Sequence, residues 1–136
     1  MKKFVLDVSA WVSVFYSDKH LHLIALIEEE EIELFTSEEN ISEFADVHIK
    51  HKKVARLLPL HTSVYVEAME EMCAVFAAHK RYALLPDYKD NYLVDLAHQT
   101  HAILVTNDKH FKVAKKLNSP KLSIIFIQEF YKMLDL

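Results

Sequence analysis

Glycine is absent from this chain of 136 residues. Its absence excludes every loop in which bare backbone must approach a phosphate, the P-loop and the dinucleotide fingerprint included. Any phosphate chemistry must therefore use side chains. Cysteine occurs once, at Cys73, which excludes an internal disulfide. That residue lies in an apolar helical pattern and reads as a reduced core thiol. No apolar run approaches the roughly 18 residues that span a bilayer. The N-terminal MKKFVLDVSAW is interrupted by Asp7 and leads to no small-residue cleavage site, so it reads as a first strand and not as a signal peptide. A cytoplasmic protein with no membrane partner is expected. Positive charge is not in excess either: 16 Lys and Arg face 20 Asp and Glu, a net −4. That balance argues against a protein that coats nucleic acid, but allows an enzyme that holds it by a local patch.

What is present is a chain of one-domain length, 1–136, half of it hydrophobic. Apolar runs at 3–8, 32–35, 82–85, 102–106 and 122–127 read as strands, with 102–106 (AILVT) the clearest. Helical patterns lie between them. Thr36 and Glu39 fit a capping box for the helix that carries Ile41, Phe44, Ala45 and His48 on one stripe. Tyr65, Met69, Met72 and Phe76 place a long amphipathic helix over 62–79, and Tyr92, Leu93, Leu96 and Ala97 one over 88–100. Alternation of this kind predicts a three-layer α/β/α sandwich around a central, mostly parallel sheet of about five strands. Ligands of such sheets bind beyond the C-terminal strand ends.

Asp7 and Asp108 fall at such ends, Asp90 opens the helix after Pro86, and Glu43 lies off the apolar stripe of its helix. Singly, each has an ordinary explanation: the aspartates as helix caps or first-turn acids, Glu43 as surface decoration. Together they are a set of hard oxygen donors suited to Mg²⁺ or Mn²⁺. Without a cation, carboxylates brought together would repel and raise one another's pKa.

The segments FVLDVSAWVSVF, SEENISEFADV, DYKDNYLVDLA and ILVTNDKHF resemble, in order and spacing, the four motifs of the PIN domain. They look most similar to bacterial PIN proteins that are toxin components of toxin–antitoxin pairs, the VapC-like ribonucleases. The resemblance runs from about Lys3 to Ile127. It implies a metal-dependent endoribonuclease in which Asp7, Glu43, Asp90 and Asp108 hold Mg²⁺ or Mn²⁺, and a metal-activated water hydrolyses an RNA phosphodiester. It implies supporting roles for Ser9, Asp87, Asn91, Thr106 and Asn107, an RNA substrate, a cognate antitoxin protein and a homodimer. The family's usual glycine before or within the fourth motif is replaced here, giving His101-Ala102 and Asn107. The usual proline of the third motif is Tyr88. The alternative within the resemblance is a non-catalytic PIN-like module that binds RNA or protein.

Lys50, Lys52, Lys53 and Arg56 make the densest basic segment, and Lys109 and Lys112 follow the fourth acid. Such charges are ordinarily solvated faces; beside a nuclease site they become candidates for contact with the RNA backbone. Tyr88 and Tyr92 could stack on bases or pack inward. The pairs His48/His51 and His98/His101 have helical i, i+3 spacing, but with no cysteine pair and no HExxH a zinc site is not expected. A phosphoacceptor receiver domain would have the same layer order, but Asp7 has no adjacent acid and Gln128 stands where a lysine is required.

Overall fold

The computed structural model describes residues 1–77, 91–109, 111 and 123–136, with Asn91 described in backbone alone. In chain order the elements are β1 (Lys2–Leu6), α1 (Val8–Tyr16), α2 (His20–Glu28), β2 (Ile32–Thr36), α3 (Glu38–Lys50), α4 (Lys52–Leu57) and α5 (Thr62–Met72). They continue with β3 (Cys73–Val75), α6 (Asn91–Thr100), β4 (Ile103–Thr106), β5 (Ser123–Phe126) and α7 (Ile127–Leu134). The sheet runs β3-β2-β1-β4-β5, and all of these pairings are parallel. Among the described residues no helix is long and apolar enough to cross a membrane.

Strand side chains alternate between two cores, as the two-residue period requires. Phe4, Leu6, Ile32, Leu34, Val105 and Ile125 face one layer, where α1, α2, α3, α5 and α7 supply Trp11, Leu23, Phe44, Met69 and Phe130. Val5, Phe35, Leu104 and Ile124 face the other, covered by α6 and Phe111. Burial on both faces explains why the strands read as nearly unbroken apolar runs. Helix α6 is packed so closely that Tyr92 through Ala97 are all buried.

Three local expectations are corrected. Helix α3 is capped one residue later than the expected capping box: Thr36 ends β2, and the Ser37 hydroxyl accepts from the Asn40 amide at 3.2 Å. The helix expected over 62–79 stops at Met72, and Cys73–Val75 pair with Leu34–Thr36 as an edge strand. Phe76, the last member of the apparent helical stripe, instead packs edge-on against Phe35 with ring centroids 5.5 Å apart. Pairing with β2 outweighs the sequence periodicity, and no glycine or proline marks the change. Cys73 is therefore a strand residue. The strand expected at 82–85 lies outside the described residues.

The missing glycine has a structural counterpart. Four described residues adopt positive φ: Asp18 (58°), Glu30 (59°), His101 (56°) and Asp135 (55°). Each ends a helix in the same way. After α2, the Glu31 amide donates to the Leu26 carbonyl and the Glu30 amide to Ile27, each at 3.0 Å. After α6, Ala102 donates to Ala97 at 2.9 Å and His101 to His98 at 3.3 Å. These are Schellman closures, which glycine normally completes because it lacks the Cβ that makes the left-handed region costly. His101 occupies one place where the family resemblance expects glycine. Glu30→Gly and His101→Gly are each expected to raise stability by about 0.5–1 kcal/mol, once the extra entropy of glycine in the unfolded chain is offset. Urea unfolding with an unchanged m-value checks this.

Cys73 is a free cysteine whose thiol pKa is pushed up by burial. The reactive thiolate is thereby suppressed at neutral pH. At about pH 8 its alkylation is expected to be slower in the native protein than in urea by on the order of 100-fold. Mass spectrometry of iodoacetamide-treated samples measures the ratio.

Candidate active site

The strand order reverses direction around β1: the chain first builds outward through β2 and β3, then crosses to β4 and β5. This leaves a crevice beyond the adjacent ends of β1 and β4, where Leu6 pairs with Val105. Asp7 leaves β1 at that point, its amide donating to the Val105 carbonyl at 3.0 Å.

Asp7 is 5% exposed, and its carboxylate is richly hydrogen-bonded. Its Oδ1 accepts from the Ala10 amide at 2.8 Å, which caps α1, and from the Ser9 hydroxyl at 2.7 Å. Its Oδ2 accepts from Thr106 Oγ1. The same two hydroxyls hold the turn after β4: Ser9 Oγ accepts from the Asn107 amide at 3.0 Å, and Thr106 Oγ1 from the Asp108 amide at 2.9 Å. Two hydroxyls thus stitch the start of α1 to the Thr106–Asp108 turn, with Asp7 at the centre. Capping and placement in the crevice are one geometry for this residue.

Glu43 reaches the same crevice from α3, accepting a hydrogen bond from the Tyr92 hydroxyl. One turn earlier on α3, the fully buried Asn40 donates through Nδ2 to the Leu6 carbonyl at 2.9 Å and to Thr36 Oγ1 at 3.1 Å. Its Oδ1 accepts from Tyr92 at 3.4 Å. The ends of β1 and β2, α3 and α6 are thereby tied together behind Glu43. Tyr92 is buried, so it packs and donates inward and is not a surface for base stacking.

Asp7, Glu43 and Asp108 line one pocket of about 400 Å³, with Ser9 and Asn107 at its wall. Asp90, Asp87, Tyr88 and Lys112, and the side chain of Asn91, lie outside the described residues. Lys109 is exposed beside Asp108. Among the described residues no group of three or more Asp, Glu, His or Cys side chains is gathered closely enough to hold an ion. The donor set nevertheless fits a hard cation in kind: three carboxylates, the Ser9 hydroxyl and the Asn107 side chain, with no basic side chain at the wall among the described residues.

The histidines have other work. His48, buried on α3, engages Thr62 Oγ1 at 2.6 Å through Nδ1 and the Leu58 carbonyl at 2.7 Å through Nε2, fastening the 58–62 loop. Both ring nitrogens are occupied, in keeping with its place on the apolar stripe of the helix. Sequence reasoning passed over Asn40 and the Tyr92–Glu43 contact, whose residue types carry no signal of their own. It also passed over Asp95, 1% exposed on α6. A signal for Asp95 did exist: an acid set among Leu93, Val94, Leu96 and Ala97, where an uncompensated charge would be costly.

Among solved structures, the chain is similar to PAE2754 from Pyrobaculum aerophilum. The TM-score is 0.65 across 98% of this chain and 97% of that one, at 14% sequence identity, a likeness of fold. No curated protein matches it. Residues 3–110 match the family model of the PIN domain, a nuclease-type fold whose members usually bind divalent metals. With that match over most of its length, the chain belongs to the PIN domain family.

Proposed function

We propose that this protein is a Mg²⁺- or Mn²⁺-dependent endoribonuclease, the toxin component of a toxin–antitoxin pair acting in the cytoplasm. The observation that carries the reading is the convergence of Asp7, Glu43 and Asp108 on one pocket at the switch point of the sheet. Asp7 and Asp108 are the central ligands in this reading, with Glu43 and Asp90 completing the set. A divalent ion bound there supplies the chemistry of lowering the pKa of a water and offsetting charge on a phosphoryl group. The chain's own residues have separate tasks. Ser9 and Thr106 fix the Asp7 carboxylate so that little reorganisation remains when a cation or phosphate arrives. The Tyr92 hydroxyl and Asn40 hold Glu43 at the opposite wall. Asn107 is exposed at the mouth, where its side chain can meet substrate.

Purified protein is expected to cleave single-stranded RNA with Mn²⁺ and to stop when EDTA is added. Asp7→Asn/Asp108→Asn should lower the rate by at least about 100-fold, since several kcal/mol of charge stabilisation are removed. Asparagine still caps α1, so the fold survives the change. Equal cleavage by the double variant overturns the nuclease reading. Absence of both cleavage and Mn²⁺ binding would leave a non-catalytic binding module.

The partner half of the reading is an inhibitory antitoxin protein, together with self-association of the chain. Exposed apolar side chains such as Ile49, Leu60 and Val64 offer surface for such contacts. Expression of the chain without a partner is expected to arrest growth of a bacterial host, and Asp7→Asn to relieve the arrest. Growth curves of the two strains decide it, and equal growth would remove the toxin role.

A further inference from the structure

The acidic pocket does not end at Glu43. A second depression runs along α3 from Glu43 and Val47 to Lys50 and His51, and those first two residues line both. The two form one trough, lined by acids as far as Asp46 and reaching Lys50 and His51 where α3 passes into α4, with Lys52, Lys53 and Arg56 on the helix just beyond. Val54 of α4 walls the acidic end, so α4 lies directly beside it.

Among the described residues the cations at that corner have no evident use in the fold. Helix α4 buries none of its residues, and Lys50, Lys52, Lys53 and Arg56 are all exposed. Lys50 meets Asp46 at 3.9 Å, with side chains 71% and 64% exposed. Such a surface pair contributes little. Among the described residues Lys52, Lys53 and Arg56 make no ion pair. Lys52 and Lys53 also fall in the first turn of α4, the end of a helix where cations are disfavoured. Stability therefore does not account for them. The chain as a whole carries −4 and would repel a polyanion, so a polyanion that reaches the acids needs a local concentration of positive charge beside them.

We propose that the α3–α4 corner is the backbone-binding track for the RNA strand. One phosphate lies over the acidic pocket, and the neighbouring phosphates rest on Lys50, Lys52, Lys53 and Arg56. The inference rests on the nuclease reading and adds where the substrate runs. Contacts of this kind are blind to base identity, so the track sets affinity and direction while leaving sequence preference to other residues.

Binding separates the two claims. The probe is a fluorescent single-stranded RNA oligonucleotide, titrated without metal into the Asp7→Asn/Asp108→Asn protein and followed by anisotropy over a range of salt. Adding Lys52→Ser, Lys53→Ser and Arg56→Ser should weaken binding about tenfold or more at low salt. It should also reduce the slope of log K against log salt by about 2, at roughly 0.7 for each phosphate that is no longer neutralised. Lys52→Arg/Lys53→Arg should keep both affinity and slope, which controls for the fold. Unchanged affinity and slope in the triple variant overturn the track, and would leave an acidic protein partner as the occupant of this corner. RNA binding through the corner with no metal-dependent cleavage would sustain the track and sink the nuclease reading. Cleavage without any effect of the triple variant on binding does the reverse.

Discussion

The hydrogen bonds around the Asp7 carboxylate are the constraint on which the rest of the structure depends. Parallel pairing of β1 with β4 brings two strand ends side by side in the middle of the sheet, and two loops must then leave the same point. Ser9 and Thr106 resolve the crowding by each bonding Asp7 and each accepting an amide of the turn after β4, Ser9 from Asn107 and Thr106 from Asp108. Almost buried, the carboxylate would be costly without these donors, which supply partners to both of its oxygens. Placement of Asp108 follows, because its amide is fixed by the same threonine.

A parallel arrangement holds the other wall. Asn40 satisfies the Leu6 carbonyl at the end of β1, and so stands behind Asp7 as Tyr92 stands behind Glu43. Ends of parallel strands leave backbone groups that need partners, and a buried amide side chain meets that need while turning α3 toward the crevice. The acids are thus mounted on groups the sheet requires in any case. Among the described residues the pocket is lined by no basic side chain, and Lys52, Lys53 and Arg56 stand apart from it on α4.

Layer order was legible because burial on both sheet faces leaves an apolar signature, and runs such as Phe4–Leu6 and Ile103–Val105 carry it openly. The placing of Asp7 and Asp108 was legible for a different reason: acids at the ends of such runs stand out in a motif context. The end of α5 was not, since Met69, Met72 and Phe76 keep a helical interval while the chain has already become an edge strand. Edge pairing with β2 is a long-range contact that no local window reports. The capping residue of α3 was misplaced by one because Thr36 and Ser37 are equally competent caps. Only the register of β2, which holds Thr36 in the sheet, decides between them.

The glycine-free composition has a further consequence for the site. Where a turn needs a left-handed residue, this chain inserts one with a Cβ and holds it by packing and by Schellman hydrogen bonds, as at His101. Asn107, the other place where the family resemblance expects glycine, does not take positive φ. Its amide instead donates to Ser9, so an ordinary residue serves there and leaves a polar side chain at the mouth of the pocket. Conformational freedom that glycine would have given to the turn before Asp108 is replaced by two hydroxyl hydrogen bonds. A turn fixed in that way presents its carboxylate with less entropy to lose on binding. Its rigidity is then set by Ser9 and Thr106, two residues that already belong to the Asp7 network, so one pair of hydroxyls governs the geometry of both Asp7 and the Asp108 turn.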